Sequence, residues 1–322
     1  MLSRVAERLY WSARYLERIE NTARLLSVYD DLLFDLPRNV RISWYNLIEI
    51  NGSVALFGRL YQDKKEKSVV KFLLADLDNP SSMLSSLKMV RENIRTTRDV
   101  VPGKTWELVN ELDLYVKRHI QKGIDRSERH EFLSTVIEGC QKIVGLLTGA
   151  MSRDDAWNFI IIGRHIERAD MNTRIVDSAV TLILQSETEE RIKLSQVIWS
   201  KVLKSQSAYL NYRRTVRSAI SGAKAVTFLL TDPYFPRSQY YSLQEIKSAA
   251  ANLPRYEGLA SQIDDLLDNT HGIERSEDLD HQFSVYLNDV QLAIIALNQK
   301  IGQNWFHFEH DQNQTQTQGE LA

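Results

Sequence analysis

Cysteine is almost missing. Cys140 stands alone among 322 residues, so no disulfide can form within the chain, and a reducing cytoplasmic setting is expected. Glycine (13) and proline (6) are scarce, which removes the punctuation that turn-rich β folds need. Neither charge sign dominates. A net charge of −2 gives no electrostatic reason to expect nucleic acid or an anionic membrane surface as a partner. Apolar runs such as Phe159 to Ile162 are far too short to span a bilayer. The start, Met1-Leu2-Ser3-Arg4, opens onto charged residues without an apolar leader core. No phosphate-cradling Gly-rich loop, no GxGxxG, no HExxH and no Cys/His quartet occurs, so neither a cofactor nor a metal is expected. The histidines are scattered. His130 and His281 read as capping or packing residues, and Cys140, in an apolar helical stretch, as a core residue. Asp154-Asp155 and Asp264-Asp265 read as ordinary helix carboxylates.

What the chain does contain is a repetition. Ala13-Arg14-Tyr15-Leu16-Glu17-Arg18-Ile19-Glu20-Asn21-Thr22-Ala23-Arg24 returns 150 residues later as Gly163-Arg164-His165-Ile166-Glu167-Arg168-Ala169-Asp170-Met171-Asn172-Thr173-Arg174. Phe72-Leu73-Leu74-Ala75-Asp76 with Pro80 returns as Phe228-Leu229-Leu230-Thr231-Asp232 with Pro236, at an offset of 156. Gly123-Ile124-Asp125-Arg126-Ser127-Glu128 returns as Gly272-Ile273-Glu274-Arg275-Ser276-Glu277, at an offset of 149. Three blocks in one order at a nearly constant, domain-sized offset predict a tandem duplication, 1–150 and 151–306, with a polar, disordered tail over 307–322. The expected fold is all-α: a duplicated helical bundle of about six helices per half, related by an approximate internal two-fold axis.

Periodicity supplies the helices. Leu2, Val5, Leu9, Ser12, Leu16, Ile19, Ala23 and Leu26 alternate steps of three and four, and no breaker precedes Pro37. A helix over 2–33 would be on the order of 45 Å long. The second copy predicts one over 153–185. Further helices are expected over 41–62 and 189–218 (Trp44 matching Trp199), then short ones ending near Leu74 and Leu230. Prolines 80 and 236 open helices over 81–98 and 237–251, and prolines 102 and 254 open helices over 104–121 and 255–270. Gly123 and Gly272 are expected to end those helices, with Ser127 and Ser276 capping the last helix of each half.

Opposite the apolar seam, the first helix carries Arg14, Glu17, Arg18, Asn21 and Arg24. The second copy carries Arg164, Glu167, Arg168 and Arg174 there. An ordinary solvated face with ion pairs at three- and four-residue spacing is one reading. Burial is favoured here, because Tyr10, Trp11, Leu25, Ile160, Ile161 and Met171 are interleaved with the charges. Buried Arg–Glu lattices stabilise poorly, so such a lattice fixes a packing or holds an anion, for which the guanidinium fork is suited. A second basic cluster, Arg91, Arg95 and Arg98, follows i, i+4, i+7, with Trp106 soon after and no counterpart in the second half. A third, Arg213-Arg214-Thr215-Val216-Arg217, reads as surface.

Tyr10-Trp11, Arg14, Glu17-Arg18, Asn21 and Arg24, with Arg91-Glu92-Asn93, Arg95, Arg98, Trp106 and the second Glu167-Arg168, resemble the bacterial alpha-E family, an all-helical family named for its Glu-Arg motif. The resemblance covers residues 1–306. It implies association with a circularly permuted ATP-grasp ligase, with a transglutaminase-like peptidase often nearby, in ATP-dependent amide or peptide bond formation or peptide modification. Three readings follow. In the first, the chain is a non-catalytic ligase partner that binds an anionic or peptide substrate through Arg14, Arg18, Asn21, Arg24, Arg164, Arg168 and Arg174. Arg91, Asn93, Arg95, Arg98 and Trp106 would then hold the partner or an anion. In the second, it is an enzyme with Glu17 or Glu167 as acid/base; a carboxylate flanked by arginines has a lowered pKa, which makes a poor general acid. In the third, the lattice is a scaffold. Homo-oligomerisation stays open in all three.

Overall fold

The structure, a computed structural model, describes residues 1–35, 42–184, 191–271 and 279–306. Gly272, Ser276 and the Gln-rich tail lie outside the described residues. Within them the chain is all-helical, with no strand. The helices are α1 (Ser3–Asp35), α2 (Asn46–Ile50), α3 (Val54–Leu60), α4 (Glu66–Leu74), α5 (Met83–Arg95), α6 (Lys104–Ile124) and α7 (Arg129–Ala150), then α8 (Asp155–Leu184), α9 (Arg191–Ser205), α10 (Tyr209–Val216), α11 (Gly222–Thr231), α12 (Gln239–Ala250), α13 (Glu257–His271) and α14 (His281–Trp305). No described helix is long and apolar enough to cross a membrane.

The two long helices form the centre. α1 packs along α8, with α5 and α7 against α1 and α12 and α14 against α8. The contacts also cross over: α9 leans on α1, and α2 on α8. Their middle turns are therefore covered on every side, and Leu9 through Ala23 are buried without interruption. Close approach is set at Gly163, where a Cβ would stand 2.3 Å from the carbonyl oxygen of Tyr10. Only glycine lets the backbones of α1 and α8 come this near.

Several expectations change in detail. The helix expected over 41–62 is split into α2 and α3 at Gly52, whose φ is 62°. The one expected over 189–218 is split into α9 and α10 at Ser207, with φ 54°. Each break falls eight residues after the matched tryptophan, Trp44 or Trp199, so among the described residues each half holds seven α-helices instead of about six. Pro80 and Pro236 lie before their helices, and Ser82 and Ser238 are the caps. Their hydroxyls accept from the Ser85 and Tyr241 amides at 3.1 and 3.0 Å. Ser127 is not a cap; it sits in a 3₁₀ turn, Arg126–Glu128. The junction is held by the buried Arg129, which donates to the Gly123 and Ile124 carbonyls at the end of α6 (3.0 and 3.1 Å). α5 ends at Arg95 because the Thr96 and Thr97 hydroxyls take up carbonyls of its last turn. Arg98 therefore lies beyond the helix and not on a common helical face with Arg91 and Arg95. His130 and His281 are exposed, and Cys140 is buried in the core.

Candidate functional site

The Glu-Arg segments of α1 and α8 face each other at the centre of the molecule. Arg14, Glu17, Arg18, Arg164 and Glu167 are all buried, and the Arg168 side chain is 13% exposed. Pairing runs between the two helices. Glu167 on α8 is held by Arg14 (Nε to Oε2, 2.8 Å) and by Arg18, which grips both carboxylate oxygens (Nε to Oε1 2.6 Å, Nη2 to Oε2 3.1 Å). Glu17 on α1 is held by Arg168 (2.9 Å) and by Arg237, which precedes α12 (2.8 Å). Arg237 also reaches Glu20 and Asn21, both at 2.8 Å. Arg24 closes on Glu20 at 2.7 Å, and Arg174 on Asp170 at 3.0 Å. Arg14 and Tyr10 share the Asn298 side-chain oxygen on α14, at 2.8 and 2.5 Å.

The field inside this lattice fixes the charge states. Burial alone would raise the carboxyl pKa of Glu17, but Arg168 and Arg237 overcome it and bring the pKa down to about 2. For Glu167, Arg18 and Arg14 do the same, again to about 2. His165 is pushed far below its usual range by burial and then by Arg168 and Arg164, so its ring is neutral. Burial raises the Cys140 thiol well above its ordinary value, which removes it as a nucleophile. Arg164 differs from its neighbours. No hydrogen bond or ion pair joins it to another described residue, and burial, then Arg168, pushes its pKa down to about 10. It lines a small cavity between α1, α5, α6, α7 and α8, with Glu17, Ser12 and apolar side chains such as Leu147 and Ile160.

Over residues 1–306 the chain matches the family described as Alpha-E, a predicted alpha-helical domain with a conserved ER motif. The chain belongs to the Alpha-E family. Similar proteins include an uncharacterized protein of Mycobacterium bovis and two uncharacterized proteins of Mycobacterium tuberculosis strains, each 24% identical over 273 residues. The match takes in 79% of this chain and 30% of each relative, so this chain spans less than a third of their length. No solved structure matches it.

Of the residues expected at the site, this Alpha-E chain brings Arg14, Glu17, Arg18, Asn21, Arg24, Glu167, Arg168 and Arg174 together through hydrogen bonds and ion pairs, and sets Arg164 beside them without a pair. Asn93 is buried and turns to the α1 side of α5, while Arg91, Arg95, Arg98 and Trp106 form a separate surface on α5, α6 and the turn between them. There Arg95 pairs with Glu92 (2.6 Å), Arg91 donates to the Asn110 side chain (2.7 Å), and Arg98 lies over the Trp106 ring at 3.8 Å. Sequence reasoning missed Arg237, Glu20, Asp170 and Asn298. The 156-residue offset puts Ser81 opposite Arg237, so comparing the halves hides a one-sided arginine. Glu20 and Asp170 lie inside the repeated motif and were legible as a matched acidic pair. No described His, Cys, Asp or Glu cluster could hold a metal ion.

Between the lattice and the α5 surface runs an open groove of about 380 Å³, lined by Arg4, Glu7, Arg8, Trp11 and Tyr15 of α1 and by Met89, Glu92 and Asn93 of α5. Its aromatic floor backs onto the lattice. Trp11 and Tyr15 stack at 5.5 Å, with Arg14 over Trp11 at 4.8 Å and Arg18 over Tyr15 at 5.5 Å.

Proposed function

We propose that this protein is a non-catalytic helical partner in an ATP-grasp ligase system for amide or peptide bond formation or modification, and that it binds that system's anionic or peptide substrate. The observation that carries this reading is the reciprocal clamp on Glu17 and Glu167. Each carboxylate is surrounded by guanidiniums and held ionised at neutral pH. A general acid must carry a proton to give, and a general base with a pKa near 2 takes one poorly. Both glutamates are therefore suited to fixing the packing of α1 on α8 and poorly suited to acid–base work. Arg14, Arg18, Arg24, Arg168 and Arg174 are engaged by the protein's own carboxylates. The surface left to a ligand is the groove on the flank of the lattice.

The two halves derive, on this reading, from an internal duplication about an approximate two-fold axis near the α1–α8 crossing. Matched serine caps, matched breaks after matched tryptophans and the exchanged Glu–Arg pairs support it. The mycobacterial relatives, in which the matched region is a minor part of a longer chain, support a unit that works beside other domains.

Co-purification with the ligase tests the partnership. Complex formation at low salt is expected. An Arg91/Arg95/Arg98→Ala triple variant should slow association, with the difference fading as salt rises, because exposed charges act mainly through long-range attraction. No complex under any condition would remove the ligase from the reading. A complex indifferent to both changes would move the interface off α5.

A further inference from the structure

The groove between α1 and α5 presents hydrogen-bonding groups that the protein itself leaves unused. The Trp11 indole N–H has no partner, although Trp11 is 91% buried. Asn93 is 92% buried and lines the groove, yet its side-chain amide joins no described residue. The Tyr15 hydroxyl is likewise uncommitted. Buried polar groups are nearly always satisfied, and the Trp11 N–H is an exception, while the Asn93 amide and the Tyr15 hydroxyl stay open at the groove for a ligand. A volume of about 380 Å³ falls in the range of small-molecule sites.

The charges narrow the chemistry. Arg4 and Arg8 make no ion pair with a described residue, and neither does Glu7, whose carboxyl pKa burial raises against the pull of Arg8 and Arg4. Glu92 is already taken by Arg95 at 2.6 Å. The groove thus offers two cations and one carboxylate outside any close ion pair, with neutral donors above an aromatic floor. The complementary ligand carries two negative groups and one positive group, close together and on a small frame.

We propose that the groove binds a dicarboxylic α-amino acid, with its carboxylates on Arg4 and Arg8, its ammonium on Glu7, and the remaining acceptors met by Asn93 and Tyr15. The amino acid is free, since a peptide bond at its α-carboxyl would remove one of the two carboxylates. This deepens the substrate-binding half of the reading above and does not depend on the ligase.

Isothermal titration of the isolated full chain with L-glutamate and L-aspartate is the test. Glutarate, which lacks the ammonium, and L-glutamine, which lacks the second carboxylate, serve as comparisons at matched ionic strength. Saturable binding of glutamate or aspartate is expected, at least tenfold tighter than glutarate or glutamine. Glu7→Gln should lower glutamate affinity about tenfold without weakening glutarate, whereas Arg8→Gln should weaken both. Both positions are partly exposed, and normal melting of the two variants separates lost binding from lost folding. The dipeptides Glu-Ala, whose glutamate lacks the α-carboxylate, and Ala-Glu, whose glutamate lacks the ammonium, should each bind at least tenfold more weakly than glutamate. No heat with any of these ligands at millimolar concentration overturns the proposal. So does glutarate binding as tightly as glutamate, or binding indifferent to Glu7→Gln. Because no ligase is present, failure here leaves the ligase partnership standing, and failed capture of the ligase leaves this site standing.

Discussion

At the scale of single residues, the lattice separates arginines by what they face. Arg18 grips a buried carboxylate with two nitrogens, so Arg18→Met strands Glu167 beside one guanidinium in place of two. Losing one partner of a buried ion pair typically costs about 3–5 kcal/mol. Arg164 has no ion pair with a described residue, so Arg164→Met removes a desolvated charge and little else. Chemical denaturation of the two variants should show Arg18→Met clearly destabilised and Arg164→Met neutral or stabilised. Equal losses would mean that Arg164 is neutralised by something it does not face here. The pH dependence follows from the same groups. Glu17 and Glu167 have folded pKa values depressed to about 2 from an ordinary 4.5. Their stabilisation is complete above pH 4.5 and is lost as pH falls toward 2. His165 is also depressed, so the unfolded chain binds its proton first and stability begins to fall below about pH 6.5. Urea midpoints measured from pH 8 to pH 3 should decline in two stages. Glu167→Gln should flatten the lower stage and His165→Gln the upper one.

At the scale of elements, the α1–α8 crossing depends on one missing methyl group. A Cβ on residue 163 would meet the Tyr10 backbone and not the end of a flexible side chain, so no rotamer change relieves it. Gly163→Ala should separate the helices, lengthen the Arg14–Glu167 contacts and lower the melting temperature by several degrees, despite alanine's better helix propensity. An unchanged melt would show that the crossing can relax. The long helices were legible in the sequence because a three-and-four apolar spacing persists through many turns. The expected ends, 2–33 and 153–185, stand within two residues of those of α1 and α8. The breaks were less legible. Gly52 carries the usual signal for a left-handed residue, but a lone glycine in an apolar periodic stretch is often tolerated. Ser207 carries no such signal at all. Arg98 misled for a related reason: its spacing from Arg91 and Arg95 is helical, and only the threonine hydroxyls at 96 and 97 end the helix before it. Burial of the charged face was legible from its interleaved aromatics, whereas the exchange of partners between helices is a tertiary fact that no spacing within one helix encodes.

At the scale of the whole molecule, that exchange makes each half incomplete. Residues 1–150 contain Glu17, whose neutralising Arg168 and Arg237 lie in the other half, and Glu20, which shares Arg237 with its own Arg24. Residues 151–306 contain Glu167, whose Arg14 and Arg18 lie in the first. The apolar faces are shared in the same way, since α9 packs on α1 and α2 on α8. A half produced alone would expose the long face of its central helix and an unpaired carboxylate that it cannot bury. Two chains, 1–150 and 151–306, should therefore each be aggregated or weakly folded when expressed separately, and should form a stable one-to-one complex when co-expressed. Far-ultraviolet circular dichroism with size-exclusion chromatography reads both states. Charge exchange gives a sharper version: Glu167→Arg in the second fragment should abolish recombination, by placing a third guanidinium against Arg14 and Arg18. Arg18→Glu in the first fragment should then restore part of it, by returning a carboxylate to the cluster. Two fragments that each fold cooperatively alone, with melting temperatures near that of the intact chain, would make the halves independent domains and reduce the lattice to a contact between finished surfaces.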